Sequence, residues 1–267
     1  FDYDGGDRPG GFSITLDKPY PAGESLAIAI AYHTNYVNES DPNNLWGSLG
    51  KGLRFLAPST SAPLKRKQVW SSGEPDANRY WFPCIESIGD LRTTEHRITV
   101  EKPLTAIANG DLVSTQDNPD GTRTFYYKTN QPYPNYLTVL AVGDYVDVQQ
   151  RAKKTTLHTF GYPDEKDAIA ATTERLPEML AFFSEMTGVN YPYPQFTQAV
   201  VQDYPFPGLN GQHNTVLQSD NMIDDFKTHA DFLYLWDGIE SQGLASQWFG
   251  NLVMSKSWEH IWLNQAF

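Results

Sequence analysis

The stretch Gln242-Gly-Leu-Ala-Ser246-Gln-Trp-Phe-Gly-Asn251 is followed, after ten residues, by Trp262-Leu-Asn-Gln265-Ala-Phe267. Apolar residues recur at helical spacing ahead of the first segment. The pattern predicts a helix from about Lys227 to Phe249 and another beginning near Ser257. Residues four apart lie on one helical face, so Gln242 and Ser246 point the same way. Eighteen residues lie between Ser246 and Gln265.

This pattern resembles the signature of the aminopeptidase N-like zinc peptidases, the gluzincin aminopeptidases. That signature reads H-E-x-x-H-x-W-F-G-N and then, after eighteen residues, the glutamate of W-L-N-E-G-F. Gln247-Trp-Phe-Gly-Asn251 and Trp262-Leu-Asn264 match it. The resemblance places the first zinc-ligand position at Gln242, the second at Ser246 and the third at Gln265. The general-base position falls on Gly243. Zinc favours thiolate, neutral imidazole or carboxylate donors, and two amides and a hydroxyl are poor substitutes. Without zinc, water keeps a pKa of about 15.7 rather than about 7. Gly243 has no side chain to act as a base. The resemblance therefore implies a peptidase family, and the substitutions imply that its chemistry and its zinc are absent. Gln242, Ser246 and Gln265 could instead close the old metal cavity as a polar network. Gly243 would allow close packing there, at a cost of about 1 kcal/mol in helix propensity.

The family's exopeptidase strand carries G-x-M-E-N, whose Glu holds the substrate's α-amino group. Gly211-Gln212-His213-Asn214 aligns with it, so His213 takes the Glu position. An imidazole cannot replace an anion facing an ammonium. An open edge at Gly211, Gln212, His213 and Asn214 could still pair with an extended peptide by strand addition. A covered edge is the plainer expectation.

The resemblance runs from about residue 12 to the end. Gln68-Val-Trp70, Gly73-Glu-Pro75, Arg79-Tyr-Trp-Phe-Pro-Cys84, Asn109-Gly110 and the run from Leu137 to Tyr145 carry it through the earlier chain. It implies an α+β fold. A β-rich, saddle-like domain over residues 1–163 would precede the start of a thermolysin-like domain over 164–267. The chain stops just past the third ligand position, so that second domain is expected to be truncated, without the family's transition-state tyrosine.

Composition agrees with a folded protein. Of 267 residues, 40% are hydrophobic and 19% charged, and 15 Tyr, 14 Phe and 7 Trp can build a large core. The net charge of -12 argues against a phosphate-backbone partner, because nucleic-acid affinity rests on Lys and Arg. The single cysteine, Cys84, permits no intramolecular disulfide. No apolar run approaches the roughly 18 residues of a membrane-spanning helix. Asn38-Glu39-Ser40 matches a glycosylation sequon, a pattern that chance often produces.

Period-2 alternation predicts strands at Phe12–Leu16, Ser25–Tyr32, His96–Glu101, Thr122–Tyr127, Leu137–Val142, Thr156–Tyr162 and Phe196–Gln202, with Asn118-Pro-Asp-Gly121 as a hairpin turn. Apolar spacing predicts one helix from Asp167 to Met186, ending near Gly188. Rival chemistry is thin. Cys84 reads as a core thiol rather than a nucleophile. Ser241 or Ser246 with His213, His229 or His260 lacks a nucleophile-elbow pattern. Glu240, Glu259 and His260 could form an unorthodox metal site, but they read better as solvated surface, as does the Asp220, Asp224 and Asp225 group. Trp248, Phe249 and Trp262 are expected in the core.

The sequence thus points to a catalytically degenerate relative of zinc aminopeptidases, a binding or structural domain with a peptide or protein partner. The rival expectation is an active metalloaminopeptidase that uses displaced ligands.

Overall fold

Among the described residues, four sheets organise the fold. The computed structural model describes residues 12–33, 53–73, 77–85, 87–204, 213–223 and 226–266. In chain order the strands are β1 (Leu53–Leu56), β2 (Gln68–Ser71), β3 (Leu91–Arg92), β4 (Glu95–Glu101), β5 (Thr105–Ala108), β6 (Asp111–Asp117) and β7 (Thr122–Lys128). They continue as β8 (Tyr133–Pro134), β9 (Leu140–Gly143), β10 (Val146–Ala152), β11 (Thr155–Gly161), β12 (Gln195–Val201) and β13 (Thr215–Ser219). The helices are α1 (Lys166–Thr172), α2 (Leu176–Thr187), α3 (Phe226–Ala245) and α4 (Trp262–Ala266). The fold is α+β, β-rich first and then mixed.

The first sheet has the order β1-β2-β9-β5, antiparallel throughout. Beside it, β4-β7-β6 forms a second antiparallel sheet, and β3 pairs with β8. The β6–β7 hairpin turns at the predicted place: Asn118 N–H donates to the Thr122 carbonyl at 2.9 Å, and Gly121 takes φ +87°. The last sheet is β10-β11-β12-β13. Its β10–β11 hairpin is antiparallel, whereas β11–β12 and β12–β13 are parallel. A parallel pair needs a crossover, and α1 and α2 make the one between β11 and β12. This sheet takes strands from both sides of residue 163.

Two clusters position the site. Trp70, Ile107, Val139 and Ala141 of the first sheet region pack against Tyr162, Ala199, Val201 and Leu217 of the last. On the other face of the last sheet, Leu176 and Leu180 of α2 and Leu244 of α3 pack on Leu157, Phe196 and Val216, with Trp248 closing the layer. Trp70 Nε1 also donates to the Gln202 carbonyl at 2.9 Å, tying the two sheets together.

Three expectations change. The helix predicted from Asp167 to Met186 is two helices, because Pro177 in the first turn of α2 cannot continue α1. Its predicted end holds, with Gly188 in the left-handed conformation that caps helices. Phe12–Leu16 and Ser25–Tyr32 form no strand, Ser13 making a single bridge, and Ile14, Leu16, Leu26, Ile28 and Tyr32 stand exposed. Alternation prepares a strand; a ladder also needs a neighbour in register. Trp262 is 60% exposed rather than core. The sequon at Asn38-Glu39-Ser40 lies outside the described residues.

Gly110 joins β5 to β6 with φ +95°, and a Cβ there would stand 2.4 Å from the Lys128 carbonyl oxygen. Both strain and backbone overlap oppose any side chain. Gly110→Ala is expected to lower the unfolding free energy by about 2 kcal/mol or more, measured by urea denaturation; an unchanged midpoint would refute the close approach.

Candidate functional site around the signature helix

Among the described side chains of α3, the buried ones lie in its last turns. Glu240, Gly243 and Leu244 face the sheet, while Gln242 is exposed. The helix ends four residues before the predicted Phe249. Ser246 still closes an i to i−4 bond to the Gln242 carbonyl at 3.0 Å, but Gln247 and Trp248 shift to i−3 bonds on Leu244 and Ala245. Such tightening is common at helix ends. Gly250, at φ +133°, then turns the chain away.

The four positions implied by the resemblance differ in their surroundings. The Ser246 hydroxyl donates to the Gly243 carbonyl at 2.7 Å. Gly243 lies against β13: a Cβ built on it meets Gln218 Nε2 at 3.4 Å and Val216 Cγ1 at 3.5 Å. A methyl there would make ordinary van der Waals contacts. Gln265 lies in α4, and its side chain lies outside the described residues. Asn264, beside it, fixes α4 by accepting from the Ser255 N–H and hydroxyl, each at 3.1 Å. Among the described residues, no group of three or more His, Cys, Asp or Glu side chains is placed to hold a metal ion. Tested on donor chemistry, a neutral amide at Gln242 and an engaged hydroxyl at Ser246 do not fit zinc.

Gly211 and Gln212 lie outside the described residues, as do Asp224 and Asp225. His213 and Asn214 are buried. The His213 ring stacks on Tyr133 with centroids 4.7 Å apart and meets Tyr193 edge-on at the same distance. Its Nδ1 lies 3.3 Å from the Tyr193 hydroxyl. Burial pulls the imidazole down to about 4, so it is neutral at pH 7. Asn214, at φ +47°, donates its N–H to Gln247 Oε1 at 3.0 Å, and its Oδ1 accepts from Gly110 N–H at 2.9 Å. Asn109 completes the frame. It donates to the carbonyls of Leu137 at 3.0 Å and His213 at 2.9 Å, and accepts from Val139 N–H at 2.7 Å. The matched Asn109-Gly110, His213-Asn214 and Gln247 thus meet in one buried network.

Two sequence expectations fail here. Glu240 is 2% exposed, not solvated surface. It precedes Leu244 by four residues and Trp248 by eight, and both are core; that stripe was the available signal. Asp220 is half-buried, and desolvation raises its carboxyl. Cys84 is partly buried and accepts from Asn135 Nδ2 at 3.0 Å. Glu259 and His260 are exposed as expected.

The His213 environment sets a pH dependence. Its folded value of about 4 lies below the ordinary 6.5 of the unfolded chain. Stability is full above pH 6.5 and falls as pH drops towards about 4, because the unfolded state takes up the proton first. The loss amounts to about 3 kcal/mol at about 1.4 kcal/mol per unit. His213→Phe is expected to flatten denaturation midpoints over that window; an unaltered slope would refute the assignment. Gly243→Ala is expected to stabilise α3 by up to about 1 kcal/mol in thermal melts, and Gly243→Glu to destabilise it.

Comparison with known proteins agrees with this geometry. Residues 11–137 match the Peptidase M1 N-terminal domain, and residues 171–267 match the Peptidase family M1 domain. Transcription initiation factor TFIID subunit 2 of Gallus gallus is 28% identical over 220 residues, covering 79% of this chain and 18% of that protein. Endoplasmic reticulum aminopeptidase 2 of Bos taurus is 24% identical over 254 residues, or 93% of this chain and 27% of the relative. Aminopeptidase B of Rattus norvegicus is 26% identical over 264 residues, 95% of this chain and 35% of the relative. The chain therefore spans between 18% and 35% of the length of these relatives. With both family domains matched in order along one α+β chain, the protein belongs to the M1 peptidase family.

Proposed function

We propose that this protein is a catalytically degenerate M1 family member that acts as a non-hydrolytic binding or structural domain. The observation that carries this is the packing of Gly243. Its position, where the resemblance puts the general base, is bare backbone set against Gln218 and Val216. The neighbouring ligand positions hold Gln242, Ser246 and Gln265. Water activation needs a strong-donor site and a base, and the substitutions remove both together.

The partner in this reading is a protein or a peptide. Similarity to a relative named as a transcription initiation factor subunit supports assembly with other proteins. The Gly211, Gln212, His213 and Asn214 segment is the candidate peptide contact. His213 and Asn214 are engaged in internal bonds, which favours the structural role over peptide capture. Among the described residues no helix is long and apolar enough to cross a membrane.

Metal analysis of the purified protein tests the proposal together with turnover of aminoacyl fluorogenic substrates. The expected result is no stoichiometric zinc and no chelator-sensitive hydrolysis. Stoichiometric zinc with turnover that chelator abolishes and metal restores would establish the rival, an active aminopeptidase with displaced ligands. A parallel variant carrying Gln242→His, Gly243→Glu, Ser246→His and Gln265→Glu should bind zinc more tightly than the parent. Saturable binding of a peptide library that His213→Phe abolishes would favour peptide capture over a purely structural role.

A further inference from the structure

The network that ties the β-rich part to the last sheet is centred on an Asn-Gly pair, Asn109-Gly110. Asparagine is a thermolabile residue, and a following glycine has no side chain to hinder closure of a ring on the carboxamide. The fold nevertheless demands both residues. Asn109 is wholly buried. Its Nδ2 donates to the carbonyls of Leu137 and His213, and its Oδ1 accepts from Val139 N–H. A primary amide can donate twice and accept at once; a carboxylate only accepts. A Cβ on Gly110 would stand 2.4 Å from the Lys128 carbonyl oxygen and 2.8 Å from the Thr129 nitrogen. Neither residue can be exchanged for a hardier one without breaking the joint.

The bonds that make the joint also guard it. Gly110 N–H is held by Asn214 Oδ1 at 2.9 Å, and the Gly110 carbonyl accepts from Gln195 Nε2 at 3.0 Å. Ring closure needs the Gly110 nitrogen to lose its proton and reach Asn109 Cγ. The carboxamide must then leave all three of its partners, and Gly110 must leave Asn214. Solvent, which carries the protons, is excluded from Asn109 while the joint is closed.

We propose that Asn109-Gly110 is a fold-protected deamidation site, inert while the joint is closed and irreversibly altered once it opens. In the open chain the Gly110 nitrogen bonds to Asn109 Cγ, and the Cγ–Nδ2 bond breaks. The proton lost from Gly110 passes through solvent to Nδ2, which leaves as ammonia. Water then opens the cyclic imide. Attack at Cγ gives aspartate; attack at the Asn109 main-chain carbonyl gives isoaspartate, with the side-chain carbons now in the backbone. Neither product can rebuild the joint. A carboxylate would set its oxygens against the Leu137 and His213 carbonyls in a buried site, and isoaspartate would also shift Gly110 from its approach to Lys128. Opening thereby becomes irreversible, by modification of the open chain before it recloses. The proposal stands whatever the protein binds.

Peptide mapping by mass spectrometry tests it on the unaltered protein, incubated at mildly alkaline pH in buffer, in urea below the unfolding midpoint and in fully denaturing urea. The mass gain of amide-to-acid conversion is read at Asn109, and fragmentation separates aspartate from isoaspartate. Asn210-Gly211, the other Asn-Gly pair of the sequence, serves as the chemical reference in denaturing urea. There the two sites should convert at similar rates, and a stable Asn109 would overturn the proposal. In buffer Asn109 should convert more slowly than in denaturing urea by about a hundredfold or more, because the rate follows the open population. Conversion at the denatured rate would overturn the protection. The sample from intermediate urea, returned to buffer and briefly treated with protease, should lose its converted chains first. Equal survival of chains converted and unconverted at Asn109 would show that the joint re-forms, and would overturn irreversibility.

Discussion

The buried side chain of Asn109 is the joint on which the arrangement depends. It reaches Leu137 and Val139 in the β-rich part and His213 in the segment that enters β13. All three of its bonds go to backbone groups that no ladder satisfies, and a buried backbone group left unpaired costs about 1–3 kcal/mol. Gly110 and Asn214 repeat the link one residue further on, and Gln247 extends it to the end of α3. The signature segment is therefore placed by the β-rich part as much as by its own helix. Gly110 permits this because its bare backbone lies against Lys128.

On that frame two of the positions that the resemblance aligns with catalytic groups make internal contacts. The Ser246 hydroxyl serves the helix end, and Gly243 lets Gln218 approach. His213 fills an aromatic slot between Tyr133 and Tyr193, where a neutral ring is favoured and a charged group is not. In the proposed reading, these positions no longer carry groups that activate water. Such a network is stabilising only when nearly every member has a partner, which is why the unpartnered oxygens of Glu240 and Gln218 stand out.

By itself, the sequence determined which side chains are available. Gln242, Gly243, Ser246 and Gln265 state the donor set whatever the fold, because ligand strength belongs to the functional group. Alternation and turn chemistry likewise located β4, β7 with the turn before it, β11 and β12, since those signals are local. Tertiary structure alone decided surroundings. Glu240 looks like surface by residue type but is buried, whereas Trp262 looks like core and is exposed. Phe12–Leu16 and Ser25–Tyr32 alternate like the paired strands yet join no sheet. Burial and pairing depend on which distant residues arrive alongside, such as Gln198 and Gln218 under Glu240, or Tyr133 and Tyr193 around His213. No local pattern encodes that meeting, and it sets how far burial moves a carboxyl up or an imidazole down from its ordinary range.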